Sequence, residues 1–185
     1  MAKTGMKKFN YLFHSIIFYS TWFGCIALVV RDYAWLASWV VMVGVVLQLY
    51  WQYRIQHHTE GLWIFMGLLV LCNALIDSLL IYNHIIIYTA NPFAPYITSP
   101  WVITLWISLS IVLYATFSKF FDRLVLLGLL SFTGFVLSYA SGAKMGAAFY
   151  PYGYKTCFLI GAIWLIALPF VVYCYKKIMG RCTCL

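Results

Sequence analysis

Charge is what this sequence has least of. Only 9% of its 185 residues are charged, four of them acidic and twelve basic, whereas an ordinary soluble domain carries roughly 25%. So few charges do not coat a water-soluble globule of this length, which excludes a cytosolic enzyme or a secreted domain. Disorder is excluded as well, because it requires low hydrophobicity and high net charge. Proline is sparse, and three of the five prolines fall between Asn91 and Pro100, which marks that stretch as a loop. The six cysteines contain no C-x-x-C pair, so neither a thioredoxin-type redox centre nor a zinc ribbon is suggested. Four histidines are too few for the clustered boxes of a membrane di-iron enzyme. His14 and His84 fall at opposite membrane depths, and the adjacent His57 and His58 sit in a polar break, so no metal site and no haem or other cofactor is expected.

Apolar residues are what the chain does have, at 65% hydrophobic and 20% aromatic. They fall into six runs, at about 9–30, 33–53, 62–88, 101–117, 124–148 and 156–175, each near the roughly 20 residues that span a bilayer. The expected fold is all-α, one polytopic domain of six transmembrane helices over residues 1–185. The first run follows Lys3, Lys7 and Lys8 but precedes no A-x-A site, so it reads as an uncleaved helix. Pro169 inside the sixth is a tolerated kink. The net charge of +8 is spread over short clusters between the runs, which reads as orientation signal and anionic-lipid contact; no nucleic-acid partner is expected. Nine Lys and Arg fall in the termini and alternate loops against three in the others, which orients both termini toward the cytoplasm of a cytoplasmic membrane. Trp35, Tyr96, Trp101, Tyr150, Tyr152 and Tyr154 would then form an aromatic belt on the outer side.

Asp77 is the first candidate for chemistry. It lies about fifteen residues into an outward-running helix, roughly 22 Å from its cytoplasmic end. A carboxylate within the membrane costs at least ~2.5 kcal/mol, so it marks a functional site with a partner to be found; a structural Asp bonded to nearby hydroxyls is the plainer reading. Asn73 precedes it by one turn. Gly134, Ser138, Gly142 and Gly146 recur every four residues, a small-residue stripe expected to admit a neighbouring helix closely. Lys144 and Tyr139 share the outer end of that helix, which makes Lys144 a candidate charge partner for Asp77. Thr104 and Ser108 on the fourth helix either complete a polar pocket or satisfy backbone carbonyls. The ending Cys182-Thr183-Cys184-Leu185 formally fits a C-a-a-X prenylation signal, although Cys184 stands where an aliphatic residue belongs.

Several stretches together resemble one family: F-x-x-x-W-F at Phe18 to Phe23, I-D-S-L-L at Ile76 to Leu80, Leu105-Trp106 with Ser118 beyond it, L-S-Y-A-x-G-x-x-x-G-A at Leu137 to Ala147, and W-x-x-x-x-P at Trp164 to Pro169. The family is a group of small bacterial inner-membrane proteins classed as a domain of unknown function (number twenty-eight seventy-eight). This chain departs from its pattern with Phe135-Val136 in place of a G-P and Thr116-Phe117 in place of a polar pair. The resemblance implies a six-helix inner-membrane architecture. It also implies a link to lipid metabolism, because members resemble neighbours of fatty-acid-modifying enzymes.

Three functions compete at this level. The chain could bind or modify a membrane lipid or other hydrophobic substrate through a polar pocket of Asp77, Asn73, Thr104, Ser108, Ser138, Tyr139 and Lys144. It could be a small proton-coupled transporter gated by Asp77, a reading disfavoured by the lack of an internal repeat. It could also be a non-catalytic assembly partner of a lipid-modifying membrane enzyme.

Overall fold

The computed structural model describes residues 2–56 and 59–182. Six helices carry the chain back and forth: α1 (Ala2–Val29), α2 (Ala34–Gln56), α3 (Glu60–Tyr82), α4 (Pro100–Val112), α5 (Leu124–Lys144) and α6 (Lys155–Cys182). Together with a π-helical turn (Leu113–Phe117) and a 3-10 turn (Ser118–Phe120) that extend α4, all six contain apolar stretches long enough to cross a membrane. Six crossings leave the start of α1 and the end of α6 at one end of the bundle, here the near end. The loops after α1, α3 and α5 lie at the far end.

Burial is inverted relative to a soluble protein. Val125 is 81% and Ile166 69% exposed, while Asp77, Asn73, Gln48 and His14 are fully enclosed. Apolar side chains face outward because lipid surrounds them; polar ones turn inward because only other protein groups can bond them there. α4 is the central strut, packing on α1, α2 and α3, while α6 joins α3 to α5. α1 and α5 make no extensive contact with each other.

The three helices that run from the near end to the far end stop in the same way. After α1, α3 and α5 the chain enters a left-handed conformation at Asp32 (φ 66°), His84 (φ 54°) and Gly146 (φ 89°). In each case the next amide bonds five residues back: Tyr33 to Leu28, Ile85 to Leu80 and Ala147 to Gly142. This satisfies the last helical carbonyls. α3 therefore ends at Tyr82, short of the expected Tyr88, and α5 ends at Lys144, short of the expected 148. The β-branched Ile85-Ile86-Ile87 favours extended chain, and β1 (Ile87–Tyr88) pairs antiparallel with β2 (Ala148–Phe149). α1 and α6 both reach further toward the near end than the apolar runs suggest.

Small residues do admit close helix packing, but not along the expected stripe. A Cβ at Gly134 or Gly142 would meet nothing within 4 Å, and Gly146 is a helix stop. The close approach lies elsewhere on α5 and on α6. A Cβ at Gly128 would sit 2.7 Å from the Leu165 carbonyl oxygen, and one at Gly161 would sit 3.1 Å from the Phe132 carbonyl oxygen. Leu165 is four residues before Pro169, which has no N–H to offer it; Gly128 lets α5 shelter that freed carbonyl. The Ser131 hydroxyl adds a 2.8 Å bond to the Trp164 carbonyl across the same interface.

Candidate functional site

Asp77 lies five residues before the end of α3 and is fully buried. Two phenols donate to it: Tyr88 to Oδ2 at 3.0 Å and Tyr139 to Oδ1 at 3.2 Å. The β1–β2 pair explains the first. Successive strand residues point to opposite faces, so Ile87 turns outward and Tyr88 turns into the bundle. The clasp is reinforced where Thr89 donates from its amide to Ala147 (3.0 Å) and from its hydroxyl to Gly146 (2.7 Å). Tyr150 closes the group by donating to the Tyr139 carbonyl at 2.9 Å. Burial first, and the neighbouring Asp77 carboxylate second, push the Tyr88 phenol well above the ordinary tyrosine range, so it remains a donor.

The other expected partners are placed differently. Lys144 is exposed, and among the described residues the one ion pair is Lys176 with Asp122 at the near end; Lys144 does not reach Asp77. Asn73 is enclosed beside the carboxylate, but its amide atoms make no hydrogen bond. Thr104 donates back to the Trp101 carbonyl at 3.0 Å, the backbone-satisfying alternative. Ser108 donates not to Asp77 but to Gln48 Oε1 on α2 at 2.8 Å. Ser138 and Gly142 stand at a cleft rather than in the Asp77 cluster.

That cleft, about 850 Å³, lies between α1 and α5 with α4 as its floor. Its walls are apolar, including Phe18, Trp22, Leu105, Leu109 and Leu130. Gly134 and Gly142, which pack against nothing, hold it open. Trp106 in the floor stacks on Phe135 of the α5 wall (5.1 Å) and on Trp164 behind it (4.3 Å), tying α4, α5 and α6 together. At the far end the lining becomes polar with Tyr88, Tyr139, Tyr150, Ser138, Ser141 and Lys144. Asp77 does not line the cleft; it stands behind Tyr88 and Tyr139 and fixes their hydroxyls. At the other end lies Thr116 of the π-helical turn, its hydroxyl buried without a partner.

A second buried polar group escaped the sequence reading. Gln48 Nε2 donates to the His14 carbonyl (3.2 Å), Trp51 Nε1 donates to Asn10 Oδ1 (3.1 Å), and Gln52 lies beside the His14 ring. The signal was present: Asn10 and His14 on one helix, and Gln48 and Gln52 on the next, are each four residues apart and share a face. His57, His58 and residues 183–185 of the C-terminal motif lie outside the described residues. Among the described residues no cluster of His, Cys, Asp and Glu could hold a metal ion.

Residues 11–170 match the model of a family described as protein of unknown function DUF2878. The chain belongs to that family. No curated protein and no solved structure matches it significantly. The stretches through which the sequence resembles DUF2878 converge on one place. Phe18, Trp22 and Phe23, then Leu105 and Trp106, then most of Leu137 to Ala147 line the cleft, Asp77 stands behind its polar end and Trp164 behind its floor.

Proposed function

We propose that this integral membrane protein binds a lipid or similar amphiphile, with the apolar chain in the cleft between α1 and α5. The observation that carries the reading is the cleft itself. Its volume of about 850 Å³ is within the ~300–1,000 Å³ of ligand sites. Along α4 its lining runs from Trp101 to Phe117, about 24 Å at 1.5 Å per residue, against a hydrocarbon core of about 30 Å. An apolar slot of that length in a membrane protein is matched by a long hydrocarbon chain, and the polar far end by a head group. With both carboxylate oxygens committed to phenols, Asp77 is given a positioning role for Tyr88 and Tyr139. In this reading the protein sits in the cytoplasmic membrane with both termini inside. No observation favours a transporter or an assembly partner over it.

Native mass spectrometry of the detergent-purified protein tests it. Wild type should retain a lipid-sized adduct, and Gly142→Phe, which fills the cleft where a Cβ meets nothing, should lose it while keeping its melting temperature. Equal retention by both, or none by either, would overturn the reading.

A further inference from the structure

The polar end of the cleft has a definite sign. Among the acidic residues whose side chains are described, none lines it: Asp77 is behind two phenols, Asp122 is paired with Lys176 at the near end, and Asp32, in the loop after α1 at the far end, is not part of the lining. Lys144 does line it and pairs with no acid among the described residues. Ser138 and Ser141 are exposed on the same wall, and their hydroxyls make no hydrogen bond among the described residues. The lining of the far end therefore offers a cation and two free hydroxyls, and no described carboxylate.

The last turn of α5 favours a cation in any case, because helix C-termini carry partial negative charge. That accounts for a lysine near the helix end, but not for its place at the mouth of an apolar slot beside two unengaged hydroxyls. Resting on the lipid-binding reading, we infer that the occupant carries an anionic head group, a carboxylate or a phosphate monoester, held at Lys144, Ser138 and Ser141. The geometry places that head at the far-end interface while the chain descends between α1 and α5. A purely cationic head would bring its charge against Lys144, with no described carboxylate in the lining to receive it.

The test uses full-length protein in detergent micelles and four probes with the same sixteen-carbon chain: palmitate, hexadecyl phosphate, hexadecanol and hexadecyltrimethylammonium. Binding is read by displacement of a fluorescent fatty acid. One or both anionic probes should bind at least tenfold tighter than hexadecanol, and the cation weakest; which anion wins distinguishes a fatty acid from a phosphorylated lipid. Lys144→Gln should erase the anion's advantage without changing hexadecanol binding or the melting temperature, and Lys144→Arg should restore it. If hexadecanol binds as tightly as both anions, or if Lys144→Gln leaves the preference intact, the head-group assignment is overturned and the lipid-binding reading stands. If none of the four binds, both fall.

Discussion

The Tyr139 hydroxyl of α5 donates to Oδ1 of Asp77 on α3 across 3.2 Å, joining two helices that share no extensive packing. α5 is otherwise held mainly by α6 and by the small β1–β2 clasp. The bond therefore ties the far end of α5, at the polar end of the cleft, to α3.

Removing one partner of that bond leaves a buried group unpaired, at a cost of about 1–3 kcal/mol. Tyr139→Phe and Asp77→Ala should each lower the melting temperature, and the double variant should lose less than the summed losses, because the shared interaction is counted twice. Additive losses would show that the two side chains do not stabilise each other. Asp77→Asn keeps the shape, so it should stay folded in the membrane while lipid retention falls; full retention would remove Asp77 from the site.

Substitutions of α5 glycines should have opposite signs. Gly128→Ala drives a methyl against the Leu165 carbonyl, and such overpacking costs about 1–3 kcal/mol. Gly142→Ala meets open space and gains helix propensity, so it should be neutral or stabilising by up to ~1 kcal/mol. Thermal unfolding in one detergent checks both, and equal losses at the two positions would contradict the packing described.

The second polar group predicts a stability effect without an effect on binding. Ser108→Ala leaves Gln48 Oε1 without its donor inside the bundle, costing about 1–3 kcal/mol, yet neither residue lines the cleft. Melting temperature should fall and amphiphile retention should not. A fall in both would couple this group to the cleft.

Topology is testable independently. A reporter active only outside the cytoplasm should be active when inserted near Phe93 and silent when fused after Leu185. The reverse pattern would invert the orientation inferred from the Lys and Arg distribution.

The six helices were legible because each run matches the bilayer thickness and the breaks carry Pro, Gly or charge. The fully buried Asp77 stood out in an apolar run, and Tyr139 lay within reach as a candidate partner. Tyr88 was missed because the apolar Ile85-Ile86-Ile87 disguised the end of α3, and His84 as a left-handed helix stop has no strong sequence signature. The glycine stripe misled for a related reason: spacing of four says that small residues share a face, but not whether that face meets a helix or a cavity. The Lys144 pairing failed because charge arithmetic along a helix fixes depth but not the direction of the side chain.

The most direct measurement is photo-crosslinking with a diazirine-bearing palmitate, mapped by peptide sequencing with and without excess unlabelled palmitate. Labelling at cleft residues such as Leu109, Leu130 and Phe18 should be saturable and suppressed by the competitor. Labelling at outward-facing Leu75 and Ile166, which contact bulk lipid, should not be. Competitor-insensitive labelling at all five positions would mean that the cleft is only another part of the lipid-facing surface, and would contradict a bound amphiphile.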